Sequence, residues 1–233
     1  MSTTHTVVAV ILFVICLMFA GCGGSAPDSL GITQTVNTES AQADALLAGM
    51  FPVVTDKMMA DAILRSNKSP KAGPRFNFVQ GDLDSLNAVN VTAHGAKWAD
   101  PINAKVGNIV RVKVYIHNGM LGTVAKNTRV KITPSTSMVV AISADNAATV
   151  SDTVVNGLIV GKPGLTIKTP ALCKLVYVPG STKGYRVGQT VGSKMLDGIA
   201  DTKGVLVGDI QGCWQYVVSV TAEFKVVAQQ ASK

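Results

Sequence analysis

Hydrophobic residues recur at every second position over much of this 233-residue chain, and no other feature constrains the fold as strongly. Over 110–116, three valines and an isoleucine alternate with Arg, Lys and Tyr, and a similar alternation runs through 127–132 and 216–226. A two-residue period places successive side chains on opposite faces of an extended strand. Each segment is therefore predicted to be a β-strand with one buried face and one solvated face.

Shorter apolar segments and frequent turn signals complete this pattern. The segment 138–142 is apolar on both faces, which predicts a central strand, and further strands are predicted at 89–93, 165–168, 175–178 and 205–207. Turn dipeptides lie between the strands: Asn118-Gly119, Asn156-Gly157, Pro163-Gly164, Pro179-Gly180 and Asp197-Gly198. Many short strands, glycine turns and no long helix predict an all-β chain folded as an antiparallel β-sandwich.

The residues before the sandwich are predicted to be a tether with short helices. Residues 23–37 are small, polar and non-periodic, 39–50 is weakly helical, and Thr55 is placed to cap a short helix. Prolines and glycine in 67–74 then break the helical pattern. These signals divide the chain into an N-terminal segment 1–21, a tether 22–75, a sandwich domain 76–228 and a tail 229–233.

An unbroken apolar run, 7–20, is followed by Gly21 and Cys22. As a helix this run is about 21 Å long, too short for a bilayer core of about 30 Å, so it is typical of an export signal peptide. The segment resembles a bacterial lipoprotein signal, in which cleavage precedes a cysteine that carries the lipid. That resemblance makes Cys22 the predicted lipid-attachment site. The segment departs from the usual lipoprotein pattern in two ways: Phe19 stands where Leu is usual, and no Lys or Arg precedes the apolar run. The alternatives are an ordinary cleaved signal peptide and an uncleaved short anchor.

The charged residues bear on the partners of the exported part. All 21 basic and 14 acidic residues follow Cys22, giving a net charge of +7. Basic charge behind an export signal does not indicate nucleic acid. It is typical of a solvated cationic surface, or of attraction to anionic wall polymers or lipid headgroups.

Two cysteines, Cys173 and Cys213, lie within the predicted sandwich. Outside the cytoplasm, such a pair is interpreted first as a disulfide. Two separate thiols are the alternative, because the sequence does not show that the two Cα atoms are close.

A series of short motifs follows the predicted strands in a fixed order. The motifs are Trp98-Ala99-Asp100-Pro101, 106–110 (VGNIV), 114–118 (VYIHN), 125–130 (AKNTRV), 142–146 (ISADN), 177–181 (YVPGS), 212–216 (GCWQY) and 220–221 (VT). This series resembles the conserved repeat domain of bacterial surface proteins, an immunoglobulin-like domain of unknown function, over roughly residues 76–227. The resemblance implies an immunoglobulin-like β-sandwich in the cell envelope, usually one module of a larger surface protein, and no enzyme activity. The chain departs from the family at Asn108, where Asp usually follows the glycine, and it carries one copy where tandem copies are common.

The sequence carries no recognisable catalytic motif. A serine hydrolase needs a nucleophile with a base in reach, but the chain has no G-x-S-x-G motif and, after Cys22, only His94 and His117. Strand alternation points His117 outward, which predicts a surface turn residue. A phosphate-binding loop is excluded because 157–162 has three residues between its glycines and Pro163 follows Lys162.

The sequence offers weak candidates for a metal site, an internal crosslink and a glycan site. Calcium would need six to eight oxygens; the pair Asp82/Asp84 and the cluster Asp145, Asn146 and Asp152 are candidates, and surface loop carboxylates are the preferred interpretation. An internal Lys–Asn amide crosslink needs an adjacent buried acid; Glu223 is predicted on the wet face, so an Asp would have to serve. Trp98 and Trp214 are candidates for a glycan platform, with core anchoring as the alternative.

Together these features predict an exported, extracytoplasmic, membrane-anchored protein of the cell envelope with a structural or adhesive role. No catalytic residues, cofactor or metal are predicted. The alternatives are a binding module for an envelope polysaccharide and a filament subunit in which residues 23–73 act as a donor strand. Candidate partners are the membrane, through a lipid on Cys22, and a cell-wall polymer or another surface protein.

Overall fold

The computed structural model describes residues 50–51, 55–68, 73–77, 86–93, 97–150, 154–155, 158–159 and 164–229. These residues contain a helix, α1 (Asp56–Lys68), and a 3₁₀ turn, Trp214–Tyr216. The strands are β1 (Leu86–Asn90), β2 (Ile102–Asn103), β3 (Ile109–Ile116), β4 (Val124–Thr133), β5 (Ser137–Ala144), β6 (Ala147–Val150), β7 (Val154–Val155), β8 (Leu158–Ile159), β9 (Gly164–Lys168), β10 (Cys173–Tyr177), β11 (Lys183–Arg186), β12 (Ser193–Lys194), β13 (Val205–Gln211) and β14 (Val218–Ala228). All of them belong to one compact unit, Asn37–Lys233.

The strands form two packed sheets, so the predicted β-sandwich is confirmed. The first sheet has the order β1-β3-β14-β11-β12, with β10 also pairing with β14; the second has the order β13-β4-β5-β9-β2, with β6 also pairing with β5. Strands β7 and β8 form a separate two-stranded pair. The pairing departs from a purely antiparallel sandwich at β2 and β9, which run parallel.

The period-two pattern puts one apolar face of each sheet into a shared core. In the first sheet, Val112 lies opposite Ala222 and Val110 opposite Phe224, all fully buried. In the second, Val130 lies opposite Ile142. Burying a side chain of this size stabilises the folded state by about 1.5–3 kcal/mol. Burial in this shared core therefore explains why apolar residues occur at every second position of the strands.

Strand β5 is central, as predicted, because it pairs with β4 on one edge and with β9 and β6 on the other. Only one of its faces is buried, however. Met138 is fully buried whereas its neighbour Val139 is 44% exposed. The outer side of this sheet therefore lies open to solvent at β5, despite its apolar residues.

On the outer face of the first sheet, residues that the sequence predicted to be exposed are buried. The residues expected on a wet face of β3, Lys113 and Tyr115, are 6% and 2% exposed. Tyr115 is covered because Met58 of α1, Met120, Trp214 and Val217 pack with it in a second apolar cluster, and the Trp98 ring lies 5.4 Å from the Lys113 ammonium. The residues around α1 are thus docked on the sheet, where the sequence predicted a tether.

A buried hydrogen bond fixes this docked segment. The Ser219 hydroxyl on β14 donates to the Met50 carbonyl at 2.7 Å, and Met50 is 2% exposed. The N-cap predicted at Thr55 is present, since its Oγ1 accepts from the Met58 amide at 3.3 Å. Within the described ranges, no helix combines the length and apolarity needed to cross a membrane.

Candidate functional site

An open cleft of about 510 Å³ lies beside the paired strands β2 and β9. We call it the lysine cleft; its lining residues are Asn103, Ala104, Lys105, Asn108, Lys168, Thr169 and Pro170. Two exposed lysines and no carboxylate line it. A concave surface lined by one sign of charge attracts ligands of the opposite sign.

The parallel strands β2 and β9 create the cleft by bringing two distant segments together. Asn103 lies opposite Lys168, and the Ala104 amide donates to the Lys168 carbonyl at 3.0 Å. The two lysines thereby stand on adjacent segments although the sequence separates them. The cleft is therefore a product of the tertiary fold.

Asn108 holds the turn that carries Lys105. Its Oδ1 accepts from the Lys105 amide at 3.1 Å and from the Asn90 side chain at 2.9 Å. The Asn90 Nδ2 also donates to the Asn103 carbonyl at 3.1 Å. Only the oxygen of Asn108 takes part in these bonds, so an Asp at this position would accept both equally well.

A second, smaller pocket of about 300 Å³ lies on the outer face of the first sheet. Arg111, Ser181, Lys183 and Glu223 contribute its polar lining. Arg111 donates through Nε and Nη2 to one carboxylate oxygen of Glu223, at 3.0 and 2.7 Å. Because this ion pair is partly exposed and already satisfied, we assign it a structural role.

A hydrogen-bond network beside this pocket was not foreseen from the sequence, which indicated only turns there. The Tyr177 hydroxyl and the Gly180 amide donate to Asp197 Oδ1 at 2.6 and 2.8 Å. These bonds lower the pKa of Asp197 from its ordinary value. Burial, followed by the bond to Asp197, raises the pKa of Tyr177. The network joins the turn after β10 to the turn after β12.

Trp98 and Trp214 do not form a shared platform. Trp98 is half-buried, and the Lys113 ammonium lies 5.4 Å from its ring centroid. Trp214 is 4% exposed and stacks on His117 at 3.9 Å between centroids. Trp214 is therefore an anchor in a packed region, which was the alternative to a glycan platform.

The prediction that His117 is a surface turn residue is wrong. His117 is 1% exposed, because α1 and the 3₁₀ turn cover this end of the outer face. Its amide donates to Asn77 Oδ1 at 2.7 Å, and the Asn77 side chain donates to the Tyr115 carbonyl at 2.8 Å. The histidine is thus part of a packed polar cluster, while His94 lies outside the described residues.

The disulfide predicted between Cys173 and Cys213 is absent, and both cysteines are free. Cys173 lies opposite Ala228 at the end of β14, whereas Cys213 precedes its start. The eleven residues of β14 span roughly 30 Å between these ends, far beyond the Cα separation of about 7 Å that a disulfide permits. The two thiols are therefore separate.

The remaining predicted sites are either used structurally or lie outside the described part of the chain. Asp145 Oδ2 accepts from the Asn127 side chain at 2.7 Å, and Asn146 bonds the β4 backbone through both ends of its amide. The described residues hold no group of three His, Cys, Asp or Glu side chains arranged for a metal. Cys22, Asp82, Asp84 and Asp152 lie outside those residues.

Comparison with known proteins found no matching family model, no similar curated protein and no similar solved structure.

Proposed function

We propose that this chain is an exported cell-envelope protein, held at the membrane by a lipid on Cys22, with a structural or adhesive role and no catalytic activity. The observation that carries the proposal is the apolar run 7–20 ending at Cys22, ahead of a chain that folds as a β-sandwich. The resemblance of residues 76–227 to an immunoglobulin-like surface module supports the same location. Among the described residues, His117 is part of a packed cluster, Asp197 accepts turn hydrogen bonds, and Glu223 forms an ion pair with Arg111.

Intact-mass measurement on the protein purified from its host membrane tests this proposal. We expect a mass for a chain that begins at Cys22 and carries a lipid, and loss of membrane association in Cys22→Ala. Cys16→Ala is the matched control, because it removes a cysteine from the apolar run and leaves Cys22 in place. An unmodified chain beginning at Met1, or a Cys22→Ala protein that stays on the membrane, would overturn the lipid anchor.

The lysine cleft favours a second candidate function, the binding of an acidic envelope polysaccharide. A carbohydrate or phosphodiester polymer offers anionic groups to Lys105 and Lys168 and hydroxyls to Asn103 and Thr169. The buried state of Trp214 argues against stacking on an aromatic platform. Recognition by charge and hydrogen bonds is what this lining supports.

Two double variants that remove the same charge distinguish binding at the lysine cleft from general attraction to the cationic surface. Lys105→Gln/Lys168→Gln should weaken binding to a soluble uronate polymer about tenfold, because two exposed ion pairs are each worth up to about 1 kcal/mol. Lys203→Gln/Lys225→Gln, which removes two exposed lysines outside the cleft lining, should leave the affinity nearly unchanged. Equal weakening by both variants would show attraction to the surface as a whole and would refute the cleft as the site.

A further inference from the structure

The hairpin made by β11 and β12 ends in a tip, residues 186–191, in which every residue is exposed. Val187 is 50% exposed and Val191 is 79% exposed, and Leu196, two residues after β12, is 84% exposed. A single exposed aliphatic side chain is common on a protein surface. Three on one hairpin form an apolar protrusion, which is typical of an interaction site.

Hydrogen bonds and close packing give the hairpin a fixed shape. The Gln189 amide donates to the Arg186 carbonyl at 3.0 Å, and the Arg186 amide donates to Gln189 Oε1 at 2.9 Å. Gly188 has a φ of +83°, a left-handed conformation that glycine adopts without strain. The Tyr185 ring packs directly against Gly192, where a side chain would not fit. The exposed valines are therefore carried by an ordered turn.

The charge of this hairpin is entirely positive. Residues 182–196 contain Lys183, Arg186 and Lys194, which we call the hairpin cations, and no Asp or Glu. The strand register places Lys183 directly opposite Lys194, and like charges in directly opposed positions destabilise a strand pair. Among the described residues, none of the hairpin cations forms an ion pair, and the Asp197 carboxylate close to Lys194 is engaged by the turn hydrogen bonds. An anionic partner would relieve this repulsion.

The hairpin lies beside the point where the N-terminal segment meets the first sheet. Tyr185 of β11 pairs with Ser219 of β14, and the Ser219 hydroxyl donates to the Met50 carbonyl at 2.7 Å. The tip begins at the next residue, Arg186. Met50 follows Cys22 by 28 residues, a span of at most about 100 Å even when fully extended. A lipid on Cys22 would therefore keep the tip within reach of the bilayer.

We propose that the β11–β12 hairpin is a second membrane contact, in which Val187 and Val191 enter the headgroup region and the hairpin cations bind anionic lipid headgroups. The proposal rests on the lipid anchor on Cys22 proposed above. Aliphatic side chains flanked by Lys and Arg are the combination with which protein segments bind an anionic lipid interface. Lipid closes around a small protrusion, whereas a stable protein interface buries about 800 Å² on each partner. The anchor makes a weak contact sufficient, because tethering turns the second binding event into a local one.

This contact would set the orientation of the sandwich on the membrane. Arg186 pairs with Val218 at the start of β14, whereas the Asn108 carbonyl beside the lysine cleft accepts from the Val226 amide at 2.9 Å near the end of that strand. The length of β14 between these two points is roughly 26 Å. With the tip on the bilayer, the lysine cleft stands away from the lipid surface and stays open to a polymer ligand.

Quenching of an introduced tryptophan by brominated lipids tests the proposal, with the full chain reconstituted into vesicles. In Val191→Trp, the added fluorescence should be quenched in brominated phosphatidylcholine vesicles that contain phosphatidylglycerol. Leu206→Trp is the matched control, because Leu206 is 47% exposed on β13 of the second sheet, and its added fluorescence should not be quenched. The unaltered chain supplies the background from Trp98 and Trp214.

Two triple variants of the Val191→Trp chain test the charges. One replaces the three hairpin cations with glutamine and should lower the ratio of bound to free tip about a hundredfold, because each basic residue near an anionic membrane contributes about a factor of five. The matched control replaces three exposed lysines outside the hairpin with glutamine and should retain the quenching. These lysines are Lys174, Lys203 and Lys225.

The outcomes that count against the proposal are distinct. An unquenched Val191→Trp in phosphatidylglycerol vesicles would overturn the membrane contact and leave the hairpin to an acidic protein partner. Equal quenching with and without phosphatidylglycerol would overturn the role of the hairpin cations, and equal loss in both triple variants would overturn the hairpin as the site of attraction. The intact mass of the same samples measures the anchor separately. Quenching without a lipid on Cys22 would refute the anchor alone, whereas a lipid without quenching would refute the hairpin contact alone.

Discussion

Replacing Gly212 with alanine tests a close backbone approach, because Gly212 leaves the least room for a Cβ among the described glycines. A Cβ at this position would lie 1.8 Å from the Met120 carbonyl oxygen and 2.6 Å from its carbon. Since real Cβ contacts are essentially never under 3.0 Å, the two backbones must separate by at least the difference, 1.2 Å. The atoms in conflict are backbone, so no side-chain rotation relieves the overlap.

The hydrogen bonds at this approach determine the cost of the shift. Met120 O accepts from the Thr123 hydroxyl at 2.7 Å and from its amide at 3.3 Å, and the Gly212 amide donates to Thr123 O at 2.8 Å. Losing most of these bonds costs about 1 kcal/mol each, and forcing extra atoms into a packed region adds about 1–3 kcal/mol. We therefore expect Gly212→Ala to lower the free energy of unfolding by about 3–5 kcal/mol.

Urea denaturation followed by tryptophan fluorescence measures this change, because Trp214 lies two residues from the substitution. Gly164→Ala is the matched control, since its Cβ would lie 3.4 Å from Met138 O, near ordinary contact distance. The control should change the free energy of unfolding by less than about 1 kcal/mol. A Gly212→Ala protein as stable as the control would refute the close approach and the pairing of these segments.

Three further measurements follow from the structure. Hydrogen bonds hold the pKa of Asp197 below 3.8, so the ionised carboxylate contributes fully to the stability of the fold above that pH and loses this contribution as the pH falls through the lowered pKa. The midpoint of urea denaturation should therefore fall less below about pH 4 in Asp197→Asn than in the wild type. An equal fall in both proteins would contradict this. Met58→Ala should cost about 2–5 kcal/mol of unfolding free energy in urea titrations because Met58 packs in the second cluster, whereas Leu64→Ala, 53% exposed on the same helix, should cost little; equal small effects would mean that α1 is not docked. Cys173 and Cys213 should both be alkylated in urea without reductant, as read by peptide mass, and a pair that reacts only after reduction would contradict the free thiols.

Much of the sandwich was predictable because strand alternation is a local property of the chain. Strands β3, β4 and β14 lie where the period-two segments predicted them, within a few residues. Their apolar faces form the core. The lysine cleft was not predictable, because Lys105 and Lys168 come together only through the parallel pairing of β2 with β9.

The errors at His117 and in the cysteine pair share one physical cause. Alternation assigns a residue to a face of a strand, but it does not say what packs on that face. The bond between Met50 and Ser219 joins residues 169 positions apart, and such contacts decide that His117 is buried. In the same way, the spacing of Cys173 and Cys213 gave no distance between them, whereas the length of β14 does.

The sequence by itself determined the all-β class, the positions of the main strands and the face of each that enters the core. These follow from local geometry, since a strand turns alternate residues to opposite sides and apolar residues leave water. Only the tertiary structure decided that α1 and the 3₁₀ turn cover one end of the outer face of the first sheet, and that two lysines share a cleft. Those arrangements depend on contacts between segments far apart in the chain, which a local pattern does not encode.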